Sequence, residues 1–137
     1  MVDLCQHSEC DRPIHLKEIA DRTELSRRYL EQLATSLKNA SLLRSFAGRK
    51  GGYKLVRSAD EIGVLEIIEA VIGPISISNC VVDPGSCSHS ETCECTLLWA
   101  LLNHRIKDVL GEFSLAEITH SSWPKRIARA LEGKALS

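Results

Sequence analysis

Aromatic residues are scarce: two Trp, two Tyr and two Phe make up 4% of the 137-residue chain. A core with so few large rings is filled by Leu, Ile and Ala, which favours packed helices. No apolar run reaches the roughly 18 to 20 residues needed to cross a bilayer, so no membrane partner is expected. The N-terminus has neither the basic stretch nor the apolar segment of a secretory signal, and a cytoplasmic location is expected. Internal repeats and low-complexity tracts are missing. There is no Ser-His-Asp set, Gly-rich nucleotide loop or paired-carboxylate arrangement, so the chain is not expected to be an enzyme. Its length suits one compact globule with an appendage.

What the chain does have is uneven. The formal net charge is only -1, yet residues 15 to 57 carry ten Lys or Arg against four Asp or Glu, a net of +6, which leaves -7 for the remainder. One segment therefore suits a polyanion while the rest of the body is acidic. The six cysteines are also clustered. Cys80, Cys87, Cys93 and Cys95 fall within one short stretch, with Cys5 and Cys10 apart from them. In a reducing compartment such a group reads as metal ligands or redox-active thiols before it reads as structural disulfides. Cys5 is expected to be a partly buried small hydrophobe and Cys10 a surface thiol.

Periodicity places these features on elements. Leu16, Ile19 and Ala20 mark one face of a helix over 16–22. Ser26 offers an N-cap for a second helix to about Lys38, with Leu30, Leu33, Ala34 and Leu37 at the i, i+3, i+4, i+7 spacing. Two short strands, 42–46 and 53–56, flank Ala-Gly-Arg-Lys-Gly-Gly, whose glycines suit a hairpin tip. A helix over 63–72 turns Val64, Ile67, Ile68 and Val71 inward and stops at Gly73-Pro74. A loop rich in Ser, Cys, Asp, Gly and Pro follows over 75–92. The longest helix spans 95–112. Leu98, Leu102, Ile106, Val109 and Phe113 form an apolar seam on it, widened by Leu97 and Leu101, that suits a partner helix. A short turn at 114–118 and a helix after Pro124 complete the chain.

The order helix, turn (Thr23-Glu24-Leu25), helix, basic hairpin is that of a winged helix-turn-helix. The N-terminal turn of the second helix, with Ser26, Arg27, Arg28 and Tyr29, is the part that would enter a major groove. Arg49 and Lys50 at the hairpin tip would reach phosphates or the minor groove, and Arg44 and Gly51 complete the expected contact set. The implied partner is double-stranded DNA.

Leu16-Lys17-Glu18-Ile19-Ala20, the run from Ser26 to Leu33, and Gly48-Arg-Lys-Gly-Gly-Tyr53 together resemble the bacterial winged-helix family that includes IscR, NsrR and CymR. The resemblance extends over nearly the whole chain, through Glu66-Ile67-Ile68, Gly73-Pro74, the cysteine loop and Trp99. It implies a mainly α fold, a winged helix-turn-helix with a two-stranded wing and a long C-terminal dimerisation helix. It also implies a homodimer on a palindromic operator and a transcription regulator, with repression the expected mode. By role, residues 1–74 would bind DNA, 75–95 form the cysteine loop and 96–137 hold the dimerisation and C-terminal helices. Relative to that family, Met1 aligns within helix 1, so the natural start is expected upstream. His15 stands at a usual Ser or Thr N-cap, and Thr96 at a position where IscR has a ligating His.

The spacing Cys80-x6-Cys87-x5-Cys93 matches the three-thiolate pattern of the family's cluster-binding members, implying a 2Fe-2S or 4Fe-4S cluster. The N-terminus of the following helix would favour an anionic site and lower the thiol pKa of Cys93 and Cys95. The fourth ligand is left among a residue outside the loop, Cys95 and His89. Zinc is disfavoured, because Cys93-x-Cys95 is too tight for a zinc knuckle. Two other readings stay open: a cluster-free regulator switched by thiol oxidation or tied to cysteine metabolism, and a cluster carrier or electron-transfer protein.

Overall fold

The computed structural model describes residues 1–8, 12–89 and 92–134. Cys10 lies outside them. Helix α1 (Val2–Gln6) leads into α2 (Leu16–Thr23), α3 (Arg27–Asn39), the strands β1 (Leu43–Phe46) and β2 (Gly52–Leu55), then α4 (Val64–Ile72). A short α5 (Asn79–Val82), the long α6 (Thr96–Gly111), α7 (Leu115–Thr119) and α8 (Trp123–Lys134) follow.

Local chemistry explains most boundaries. Ser26 caps α3 by accepting the Tyr29 amide at 3.2 Å, and the helix buries Leu30, Ala34 and Leu37, the stripe that its spacing predicts. Helix α2 ends where Glu24 takes a left-handed conformation, φ 59°, an uncommon choice for a residue with a Cβ that the sequence does not signal. Gly73, φ 83°, ends α4. The turn expected at 114–118 is helix α7, capped reciprocally by Ser114 and Glu117.

β1 and β2 pair antiparallel, with Leu43 opposite Leu55 and Phe46 opposite Gly52. Ile14 adds a bridge on the far edge: its amide donates to the Tyr53 carbonyl at 3.0 Å and its carbonyl accepts from Tyr53 at 2.9 Å. Gly52 lies so close to Ile14 that a Cβ there would fall 2.5 Å from the Ile14 oxygen. The wing is thus tied to the residue before α2 through its backbone.

Ile14, Leu42, Ile62 and Leu115 are fully buried at the centre, with Leu4, Ile19, Leu30, Ala34, Leu37 and Leu43 around them. Leu115 reaches this core because its amide donates to the Ile62 carbonyl at 2.8 Å, while Phe113 accepts from Val64 at 2.9 Å. The segment after α6 is therefore packed with the winged-helix core, and α7 lies against α1. On α4, Ile67 and Val71 pack against the core but stay partly exposed. Cys5 is also half-buried against it, as expected of a small hydrophobe. Among the described residues no helix is long and apolar enough to cross a membrane.

Candidate nucleic-acid interface and cysteine loop

The basic side chains that the sequence singles out lie on two elements, the start of α3 and the wing, and α3 packs against β1 of the wing. Ser26, Arg27, Arg28 and Tyr29 are exposed at the start of α3, and Arg44, Arg49 and Lys50 are exposed on the wing. A polar cleft bordered by His15, Arg27, Glu31, Thr35, Phe46 and Gly48 lies between α3 and the wing. Arg44 sits directly opposite Lys54 across the strands. Like charges in register cost stability, a cost offset where a polyanion lies over them. Arg27 is engaged by Glu31, Nε to Oε1 at 3.2 Å, and Arg28 beside it is exposed.

Gly51 is held within the turn of the wing. It is buried, its amide donates to the Gly48 carbonyl at 2.9 Å, and a Cβ would fall 2.2 Å from the Phe46 oxygen. It closes the turn that presents Arg49 and Lys50. His15, noted in the sequence only as an unusual cap, turns its ring toward the wing, where Nε2 lies 3.3 Å from the Arg49 carbonyl oxygen.

In the cysteine loop, Cys80 lies half-buried on α5 beside the Ser78 hydroxyl, 3.1 Å away. Cys87, Cys93 and Cys95 are exposed free thiols, and His89 is exposed as well. Cys95 is the N-cap of α6. The Cys95 backbone N–H, followed by the Thr96 hydroxyl, holds the Cys93 thiol below its ordinary pKa. Among the described residues no group of three or more His, Cys, Asp or Glu is gathered closely enough to hold a metal ion. The donor chemistry nevertheless fits an iron–sulfur cluster: free thiols on one Gly-bearing loop, one biased toward thiolate at a helix N-terminus. Loops of this kind often assemble only on binding.

The root of this loop is fastened to the body by residues that the sequence reading passed over. The buried Asn103 on α6 accepts the Ile77 amide at 3.3 Å. Glu69 on α4 accepts the Ile75 amide at 3.2 Å and pairs with Lys107 of α6 at 2.8 Å. Their signal was a polar register, Asn103 and Lys107 four apart, beside the apolar seam. The seam faces away from the body: Leu97 is 82% exposed, Leu98 51% and Leu101 52%.

The family described as "Rrf2: Iron-dependent Transcriptional regulator" matches residues 1–121. An HTH-type transcriptional regulator of Azotobacter vinelandii is 38% identical over 122 residues, which cover 89% of this chain and 73% of that protein. The regulator IscR of Erwinia tasmaniensis is 36% identical over 121 residues, covering 88% of this chain and 72% of that one. The structure of CymR, the global cysteine regulator of B. subtilis, superposes with a TM-score of 0.68 at 32% identity, covering 86% of this chain and 85% of that one.

Proposed function

This chain belongs to the Rrf2 family of transcriptional regulators, and from that membership we propose that it is a homodimeric repressor whose hold on a palindromic operator responds to an iron–sulfur cluster in the loop of residues 80–95. The family is one of DNA-binding regulators, not enzymes. The observation that carries the sensing reading is the exposed Cys93 thiol, biased toward thiolate just ahead of the N-cap of α6, the helix whose outer face is apolar and exposed.

The dimer follows from the inverted pattern of α6. Its Asn103 and Lys107 face the body while Leu97, Leu98, Leu101, Leu102, Ile106 and Val109 are exposed. A stripe of that size left in water is unfavourable, and the same stripe on a second copy covers it symmetrically. Two copies then present two α3 helices to successive major grooves, which is why the operator is palindromic. Arg28 reads bases, whereas Arg44, Arg49 and Lys50 engage phosphate or the minor groove. Such a protein acts in the cytoplasm.

Cys80, Cys87 and Cys93 would hold the cluster, with Cys95, His89 or a residue outside the loop as the fourth ligand. When bound, the cluster supplies a redox- and nitric-oxide-responsive centre that also reports iron–sulfur supply. The chain's own part is to link loop and reading head. A change at the loop alters α6, and with it the spacing of the two reading heads.

A second reading is supported by the likeness to the cysteine regulator CymR and by the exposure of Cys87, Cys93 and Cys95: a cluster-free thiol switch. Anaerobic purification separates the two. Visible charge-transfer absorption with iron and sulfide in the protein is the expected result. A colourless, metal-free chain whose DNA affinity changes on disulfide formation would establish the thiol switch instead. Equal affinity of cluster-loaded and cluster-free protein for one duplex at one salt concentration would end the sensing proposal and leave the DNA-binding one standing.

A further inference from the structure

Between the cysteine loop and the recognition helix lies a polar contact that the DNA-binding surface does not use. Helix α4 packs on α3 on one side and on α6 on the other. The chain leaves α4 through Gly73, φ 83°, and the loop begins at once. Glu69 Oε1 accepts the Ile75 amide at 3.2 Å, and the same oxygen lies 2.8 Å from Lys107 Nζ of α6. Two residues further on, the Ile77 amide is held by Asn103 Oδ1 at 3.3 Å.

We infer that Glu69 is the positioning residue that couples the state of the cysteine loop to the DNA-reading head, because one of its oxygens ties the loop root to α6 while its helix packs on α3. The inference rests on the sensing reading above.

Three considerations single out this contact. A buried apolar contact between α4 and α6 would hold them more firmly than an ion pair whose side chains are 31% and 34% exposed. Apolar residues were available, since α6 carries a full seam of them on its outer face. A polar junction with a shared acceptor has two discrete states, loop amide held or released, whereas close packing yields only as a unit. Both partners favour the ionised carboxylate, Lys107 first and the Ile75 amide second, and they hold the Glu69 pKa below its ordinary value. When the loop amide lets go, the carboxylate keeps Lys107 as its partner but is no longer fixed to the loop root, so the Glu69–Lys107 pair can re-aim and α6 can shift relative to α4. Glu66, one turn earlier, is paired with Arg57 and stands apart from this junction.

The test uses the full chain, anaerobically reconstituted or metal-free, and a short duplex selected by the reconstituted parent from a random-sequence pool. The readout is the ratio of its two dissociation constants for that duplex. Glu69→Gln and Lys107→Met should each shrink the ratio about fivefold, with iron and sulfide content and melting temperature kept near those of the parent. Lys107→Arg, which preserves the ion pair, should restore it. Variants that hold cluster and fold but keep the parental ratio would overturn the inference. A parent with a ratio of one would overturn the sensing reading, and amide exchange then judges the coupling by itself. Glu69→Gln should speed exchange at Ile75 and along α6 around Lys107 together. Unchanged exchange at Ile75 would refute the junction whatever the DNA result.

Discussion

His15 and Arg49 meet where the turn of the wing reaches the start of α2, the histidine Nε2–H donating to the Arg49 carbonyl oxygen at 3.3 Å. A carbonyl can only accept, so the bond requires the proton on Nε2. Together with the backbone bridge between Ile14 and Tyr53, it sets the wing's height over the start of α2, and hence where Arg49 and Lys50 stand relative to α3.

Replacing that ring should therefore act on DNA binding more than on folding. His15→Ala is expected to weaken duplex affinity by roughly two- to fivefold, the worth of one exposed hydrogen bond, with little change in melting temperature. Fluorescence anisotropy beside a thermal melt checks this. A large fall in melting temperature would mean that the ring supports the core.

Arg28 and Arg49 should differ in kind. Arg28→Ala at the first turn of α3 should cost about 1–3 kcal/mol on the preferred duplex and less on random sequence. Arg49→Ala should weaken both alike and lower the slope of log affinity against log salt by about 1. Titrations at several salt concentrations on both duplexes separate the two effects.

The exposed seam gives a prediction about assembly. Leu101 is 52% exposed, so Leu101→Glu should leave the folded monomer close to its original stability while placing like charges in a two-fold interface. Sedimentation velocity should show a dimer for the parent and a monomer for the variant. An unchanged sedimentation coefficient would remove α6 from the interface.

Thr96 takes up the position where IscR-like proteins are expected to carry a ligand, and its hydroxyl is directed at the Cys93 sulfur. The Cys95 N–H, the stronger influence, remains in Thr96→Val, but the hydroxyl is lost. The Cys93 pKa should rise, and alkylation of that thiol in metal-free protein at neutral pH should slow. Peptide mass analysis against pH reads the midpoint directly, and a midpoint that stays put would show that Thr96 has no hold on the thiolate.

Acid sensitivity should report the start of α2. The Arg12 guanidinium, first among its influences, takes the Glu18 pKa from 4.5 down to about 2. Because the folded value is depressed, the contribution is present in full above 4.5 and is lost as pH falls toward about 2. Glu18→Gln should remove that part of the acid slope, so parent and variant converge at low pH and separate above it. Urea denaturation at a series of pH values measures the difference. Parallel curves would contradict it.

Much of this protein was legible in one dimension. The stripe of Leu30, Ala34 and Leu37, the Ser26 cap and the basic hairpin are local patterns, and local patterns repeat with the period of the element they form. They located the reading head and, by resemblance, the family. The tertiary structure alone decided what depends on chain segments far apart. It brought Leu115 into the core with Ile14, Leu42 and Ile62, enclosed Gly51 in the turn of the wing, and turned His15 to Arg49. It also set α6 with its polar Asn103 and Lys107 inward and its leucines outward, an orientation that periodicity leaves open because an apolar seam does not say which neighbour covers it. The sulfurs stand between these cases. Their spacing is written in the sequence, whereas the anchoring of the loop's root by Glu69 and Asn103 is a tertiary contact, because it joins backbone amides of the loop to side chains of two different helices.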